Sequence, residues 1–103
     1  MRITVEMSLY PLQGAPLEKI LSFIETISGD ERLEVVVNQL STQVRGELGA
    51  VMEVLETAVR RSFTAGGPQA LVVKFLNADL PIAEPPVLEP PLDPAGAASG
   101  RRR

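Results

Sequence analysis

The chain has 103 residues, which is enough for one domain, and its formal net charge of −3 gives no electrostatic footprint for binding nucleic acid. The absence of cysteine and histidine excludes disulfides, thiolate chemistry, cysteine-ligated metal sites and histidine-based proton transfer. No stretch approaches the roughly 18 consecutive apolar residues that a membrane span requires.

A strand is predicted first, because apolar and polar residues alternate from Ile3 to Tyr10 before Pro11 ends the pattern. A helix is predicted to begin at Pro16, where the missing N–H of proline costs nothing, and to end near Gly29. Its apolar residues fall at helical spacing and predict a single buried stripe. That stripe consists of Leu17, Ile20, Leu21, Ile24 and Ile27.

Two further strands, a second helix and a fourth strand follow. Residues 33–38 are rich in β-branched side chains, and residues 42–46 follow closely enough to complete a hairpin. The next helix is expected to end at Gly66, and residues 69–77 form the last predicted strand. The apolar stripe of this helix is predicted to hold Leu48, Val51, Met52, Leu55, Val59 and Phe63.

This order of elements, βαββαβ, predicts an α+β fold of the ferredoxin-like plait type. In this fold a four-stranded antiparallel sheet carries both helices on one face, and its strands lie in the spatial order 4-1-3-2. Residues 1–80 are predicted to form this single domain.

The composition changes after residue 80. Residues 81–103 hold six of the nine prolines and end in three arginines. Because such a stretch has too few large apolar side chains to offset the entropy of ordering it, residues 81–103 are predicted to be a disordered, Pro-rich tail.

The alternation assigns each strand residue to one of two sheet faces. The face turned to the helices is expected to hold Val5, Met7, Leu9, Val35, Val37, Val44, Leu71, Val73 and Phe75. The opposite side, called here the open face, mixes polar with large apolar groups, which favours partial cover by another subunit. It is expected to hold Glu6, Ser8, Tyr10, Val36, Asn38, Ser41, Gln43, Arg45, Val72, Lys74 and Leu76.

Polar side chains are predicted to gather at one rim of the open face, where the first two strands end and the third begins. They offer an aromatic hydroxyl, amide donors and acceptors, and a carboxylate, which together suit a flat, nitrogen-rich heterocycle. The candidate ligand-binding residues are Glu6, Ser8, Tyr10, Asn38, Ser41, Gln43 and Lys74. A second interpretation stays open, in which these groups are cross-strand pairs on a solvated surface and Lys74 only pairs with Glu6.

Three segments carry a resemblance to a known family: residues 7–12, with Ser-Leu-Tyr-Pro, residues 38–47, with Ser-Thr-Gln-Val-Arg-Gly, and residues 73–80. In this order and at these places in the fold, they resemble the YkoF-like family of small bacterial and archaeal proteins that bind thiamine or hydroxymethylpyrimidine. The resemblance covers about the first 80 residues. The family motif positions in this chain are Ser8, Tyr10, Ser41, Thr42, Arg45, Gly46, Lys74 and Asn77.

The resemblance implies that the protein binds thiamine or its hydroxymethylpyrimidine portion without turnover, and needs no cofactor or metal. It also implies association through the sheets. Because some relatives carry two repeats and this chain has one, a homodimer or homotetramer is implied, and proteins of thiamine transport or salvage are the expected partners. The cytoplasm is the expected location, since no secretory signal is recognised at the start of the sequence.

Other functions are weaker alternatives. Catalysis would have to rely on a perturbed carboxylate or lysine, with Glu6 and Lys74 as the only pair to consider. RNA binding through the sheet would need stacked aromatic residues, and Tyr10 is the single aromatic residue expected on the open face. The serious rival is a regulatory or protein-interaction subunit whose sheet face binds a partner or another small ligand.

Overall fold

The computed structural model describes residues 1–88. Its elements follow the predicted order, and most of their bounds lie within one residue of the predicted ones. They are β1 (Arg2–Pro11), α1 (Pro16–Ser28), β2 (Glu34–Val37), β3 (Thr42–Glu47), α2 (Leu48–Ala65) and β4 (Gln69–Leu76).

The four strands form one antiparallel sheet in the order β2-β3-β1-β4. The predicted ferredoxin-like plait and its strand order are therefore confirmed. The central strand β1 pairs with β3 on one side and β4 on the other, so that Val5 lies opposite both Val44 and Phe75. This register places alternate residues of the three strands on the same face.

The core lies between the sheet and the two helices. Val5, Met7 and Val44 are almost fully buried on the sheet side, and Phe23 and Ile27 of α1 pack in the same cluster. The predicted helix-facing residues of β1 and β3 are thus confirmed. Burial of this apolar surface is the main source of stability that the fold has.

The buried faces of the two helices differ from the predicted stripes. Leu17 and Leu21 of α1 are exposed, whereas Phe23, outside the predicted stripe, is buried. In α2, Met52 and Phe63 are exposed. The buried residues of α2 are Ala50, Val51, Val54, Leu55 and Ala58. Small alanines lie in this buried face, whereas the predicted stripes were built from the largest apolar side chains.

Two residues predicted to face the helices lie on that side but are half exposed. Phe75 is opposite Val5, and Val37 is opposite Thr42, yet their exposed fractions are 51% and 49%. Both belong to the edge strands β4 and β2. The two helices therefore cover the centre of the sheet better than its edges.

After β4 the chain turns back over the open face of the sheet. We call residues 77–82 the return segment. It ends in a turn in which Leu80 O accepts from the Ile82 amide at 2.9 Å and Pro81 O from the Glu84 amide at 3.1 Å. Most of the predicted disordered tail, residues 89–103, lies outside the described residues. Within residues 1–88, neither helix is long and apolar enough to cross a membrane.

Candidate functional site

The Glu6 carboxylate is the centre of a polar cluster on the open face. Its Oε2 accepts a hydrogen bond from Ser41 Oγ at 2.9 Å, and its Oε1 lies 3.0 Å from Lys74 Nζ. The Glu6 side chain keeps 40% of its surface exposed, so a ligand can reach it. Three of the predicted site residues are therefore in direct contact.

The strand register explains why these residues meet. Glu6 lies in the middle of the central strand, opposite Gln43 of β3 and Lys74 of β4. Side chains that lie directly opposite each other on one face are close enough to interact. Ser41 immediately precedes β3 and reaches the same carboxylate from the hairpin turn.

The neighbouring groups lower the pKa of Glu6. The hydrogen bond from Lys74 is the largest cause, followed by the hydrogen bond from Ser41. Both donors stabilise the charged form of the carboxylate. Glu6 is therefore an anionic acceptor at neutral pH, rather than a proton donor.

The hairpin turn between β2 and β3 uses two other predicted site residues. Asn38 Oδ1 accepts from the backbone amides of Leu40 and Ser41, at 3.3 and 3.2 Å, in the local arrangement that asparagine favours in turns. Ser8 Oγ donates to Leu40 O at 3.2 Å and ties this turn to β1. These bonds hold the hairpin in place and thereby position Ser41.

Tyr10 lies farther along β1 than the rest of the cluster. The pairing of β1 with β3 ends at Met7, whereas its pairing with β4 continues, so that Tyr10 lies opposite Ala70. Tyr10 is half exposed and lies beyond Thr42, the first residue of β3. The structure thus brings Glu6, Ser41 and Lys74 into contact but leaves Tyr10 at the margin. A ligand contact stays a prediction for all seven candidate residues.

The return segment is attached to the other end of the open face. Thr4 Oγ1 donates to Ala78 O at 2.7 Å and accepts from the Leu80 amide at 2.9 Å. Arg45 donates from Nη1 to Leu80 O at 2.6 Å. One side chain from β1 and one from β3 therefore hold the same short stretch of backbone over the sheet.

Ion pairs accompany these bonds. Arg2 Nε lies 3.0 Å from Asp79 Oδ2, and Arg45 Nε lies 2.7 Å from Glu34 Oε1 and 3.6 Å from Asp79 Oδ1. The cationic groups at this end of the sheet are thus matched by nearby carboxylates. Because the two pairs with Asp79 are partly exposed, they orient the return segment more than they stabilise it.

A cleft of about 290 Å³ lies between the sheet and the return segment. Glu6, Gln43 and Lys74 supply polar groups, and Leu80 and Ile82 supply apolar groups from the return segment. The remaining lining residues are Thr4, Val5, Phe75 and Leu76. A mostly apolar cleft with a few convergent polar groups is the usual form of a small-molecule site.

A larger cleft, of about 510 Å³, lies on the helix side near the end of α1 and is less suited to binding. Three of its charged groups already bind one another: Arg32 donates to Asp30 and to Glu53, each at 2.9 Å. Arg32 holds the pKa of Asp30 at about 2, and the pKa of Arg32 is raised in turn. No group of three or more His, Cys, Asp or Glu residues within residues 1–88 is arranged to hold a metal ion.

Six of the nine lining residues were not among the predicted site residues, and three of these, Thr4, Leu80 and Ile82, were assigned to neither face of the sheet. Thr4 was detectable, since it precedes Glu6 by two residues and shares its face. Leu80 and Ile82 follow the last strand, in a stretch with no periodic pattern that could place them over the sheet.

No protein-family model matches the sequence, and no curated protein matches it either. The fold is similar to solved structures. A Streptococcus pneumoniae protein is 20% identical over 81% of this chain and 92% of its own, with a TM-score of 0.69. A domain of unknown function, DUF77, from Bacillus cereus is 18% identical over 77% of this chain and 78% of its own, with a TM-score of 0.66.

A third similar structure is that of a proposed thiamine biosynthesis/salvage protein from Thermotoga maritima. It is 20% identical over 84% of this chain and 91% of its own, with a TM-score of 0.66. At such identities these likenesses establish a shared fold, and they do not show what this chain binds.

Proposed function

We propose that the cleft on the open face binds thiamine or its hydroxymethylpyrimidine portion without chemical turnover, in vitamin transport, salvage or sensing. The observation that carries this proposal is the Glu6 carboxylate, which is held between Ser41 and Lys74 beside a mostly apolar cleft.

The chemistry of Glu6 suits an amino-bearing heterocycle. Each carboxylate oxygen can accept a second hydrogen bond besides the one it already makes. An exocyclic amino group on a pyrimidine ring is a donor for such an oxygen, and the anionic form of Glu6 also attracts the positive thiazolium ring of thiamine. Gln43, opposite Glu6, adds an amide donor and acceptor for ring nitrogens.

The size of the cleft agrees with this ligand class. Its volume of about 290 Å³ lies just below the range of roughly 300–1,000 Å³ found for small-molecule pockets. One or two aromatic rings fill such a space, whereas a dinucleotide or a peptide does not. The thiamine-related description of the Thermotoga maritima protein supports the same ligand class, as an analogy from a protein of like fold.

The proposal includes no reaction. A general acid or base at neutral pH needs a pKa near 7, and the pKa of Glu6 is shifted in the opposite direction, to a value below 4.5. The Glu6–Lys74 pair therefore serves recognition in this proposal, and the protein is a binding module rather than an enzyme.

The test is isothermal titration of the full chain with thiamine and, separately, with hydroxymethylpyrimidine. We expect saturable binding, and Glu6→Gln should weaken it about tenfold or more, because the substitution replaces a charged acceptor by a neutral one. Glu31→Gln, an exposed carboxylate outside the cleft, is the matched control and should bind like the original chain. Equal affinity for Glu6→Gln would remove Glu6 from the site, and no binding to either compound would remove the ligand class.

A regulatory or protein-interaction subunit is the second candidate, and exposed apolar groups on the open face favour it. Val72 is 58% exposed and Leu76 is 42% exposed. A sheet face with such groups is suited to packing against a second copy as a homodimer or homotetramer. Analytical ultracentrifugation distinguishes the cases: Val72→Glu should dissociate an oligomer formed through this face, and a monomeric original chain would contradict such packing.

A further inference from the structure

Thr4 is an unusual residue of the open face, because it is buried where its neighbours on that face are partly exposed. Its exposed fraction is 7%, although the helices lie on the opposite side of the sheet. The return segment covers it. A buried hydroxyl needs hydrogen-bond partners, and Thr4 has both an acceptor and a donor in the return segment.

The two bonds of Thr4 bracket Asp79. The hydroxyl donates to the carbonyl of Ala78 and accepts from the amide of Leu80, so it fixes the backbone on both sides of that residue. The side chain of Asp79 then points to Arg2 and Arg45. Together these contacts set both the distance and the direction of the return segment over the sheet.

This geometry determines the shape of the cleft. Leu80 and Ile82 line it from the return segment, whereas Glu6, Gln43 and Lys74 line it from the sheet. Without the return segment, the polar cluster would lie on an open surface, where water competes for every hydrogen bond. The apolar wall therefore covers one side of the cleft and gives a small ligand a surface to pack against beside the Glu6 cluster.

We propose that Thr4 is a positioning residue that holds the return segment, residues 77–82, as the second wall of the ligand cleft, with Leu80 and Ile82 as the apolar surface against which a small aromatic ring packs. This inference rests on the proposed function. One wall of the site thus comes from a segment that follows the last strand of the plait.

The experiment has one arm that needs no ligand. Amide hydrogen exchange of the full chain, followed by NMR, reports directly on the Leu80 amide, which donates to Thr4. We expect this amide to be protected in the original chain. Thr4→Val should abolish the protection of Leu80 while leaving that of Leu55, in the middle of α2, unchanged. Thr4→Ser keeps the hydroxyl and should retain the protection of Leu80.

The second arm measures affinity for thiamine and hydroxymethylpyrimidine in the same variants. Thr4→Val should weaken binding about tenfold, and Thr4→Ser should restore most of it. Thr26→Val is the matched control, because it removes a threonine hydroxyl that donates to the Ser22 carbonyl of α1, away from the cleft. It should leave both the exchange of Leu80 and the affinity unchanged.

The outcomes separate the two proposals. A Leu80 amide that exchanges freely in the original chain, or that stays protected in Thr4→Val, overturns the role of Thr4 whatever the ligand is. Unchanged affinity in Thr4→Val overturns the return segment as a wall of the site. If the original chain binds neither compound, the proposed function falls, and the exchange of Leu80 alone decides whether Thr4 holds the segment.

Discussion

The two faces of the sheet are built on different principles. The face under the helices is closed by side chains such as Val5, Val44 and Ile27, which make contact without needing a specific direction. The open face is organised by directional bonds, with Glu6 between two donors at its centre and Thr4 between two backbone groups at one end. Both faces share the same strands, and only the alternation of side chains separates them.

This difference shows where the chain can change its function without losing its fold. Apolar packing contributes stability in proportion to the area that is buried, so the helix side determines whether the protein folds. Exposed hydrogen bonds and ion pairs contribute little net stability, so residues of the open face are available for recognition. Substitutions on the two sides should therefore affect different measurements.

The largest effect is expected from removing a core side chain. Ile27 is 1% exposed, and Ile27→Ala should lower the free energy of unfolding by about 2–5 kcal/mol, because it leaves a cavity between α1 and the sheet. Urea denaturation followed by circular dichroism measures the change. Val72→Ala on the open face should alter stability by less than about 0.5 kcal/mol. Similar losses for the two variants would contradict the division between the faces.

A smaller effect is expected from adding one methyl group on the helix side. A Cβ at Gly46 would lie 2.8 Å from Leu33 Cδ2 and 3.1 Å from the carbonyl oxygen of Arg32. Since that oxygen belongs to the backbone and cannot simply turn away, Gly46→Ala should destabilise the protein by about 1–3 kcal/mol.

Gly49, in the first turn of α2, provides the matched control, because a Cβ there meets nothing within 4 Å. Gly49→Ala should be neutral or stabilising by up to about 1 kcal/mol, as alanine favours the helix more than glycine does. Thermal unfolding of both variants decides the matter. An unchanged stability of Gly46→Ala would mean that β3 and the loop before β2 can move apart enough to admit the methyl group.

The smallest effect concerns pH and belongs to the open face. The pKa of Glu6 is lower in the folded protein than its ordinary value of 4.5. The pairing of Glu6 with its two donors therefore stabilises the fold above pH 4.5, and this stabilisation is lost as the pH falls through the pKa of Glu6 in the folded protein. Carboxyl NMR titration should give a Glu6 midpoint below 4.5, Lys74→Met should raise that midpoint most, and Ser41→Ala should raise it less. A midpoint that does not move in Lys74→Met would show that the ion pair is absent in solution.

The plait could be predicted from the sequence because local patterns determine it. The alternation of β1, the hairpin near Asn38 and the two helical segments allow few other arrangements. The buried faces of the helices were less predictable, since large apolar residues such as Leu17 and Met52 are exposed while alanines are buried. The alternation of residues along a strand indicates which face of the sheet a side chain lies on. It does not show how far the helices cover that face, as the half-exposed Phe75 illustrates.

The site was predictable in part for the same reason. Glu6 and Lys74 lie opposite each other on adjacent strands, so their pairing follows from register. The contact of Ser41 with Glu6 depends on the shape of a turn, and the cover supplied by Leu80 depends on the bonds that its backbone makes with Thr4 and Arg45. Such contacts arise from three-dimensional geometry, which residue spacing does not encode.

The position of β1 in the middle of the sheet has a consequence for the order of folding. The hairpin of β2 and β3 joins residues close in sequence, such as Val37 and Thr42, whereas Thr4 and Leu80 are 76 residues apart. Because closing a longer loop costs more entropy, pairs of residues close in sequence form readily, and pairs distant in sequence form after them. The cleft is therefore among the last parts of the domain to assemble, and a chain emerging from the ribosome gains it only when residue 82 has been released.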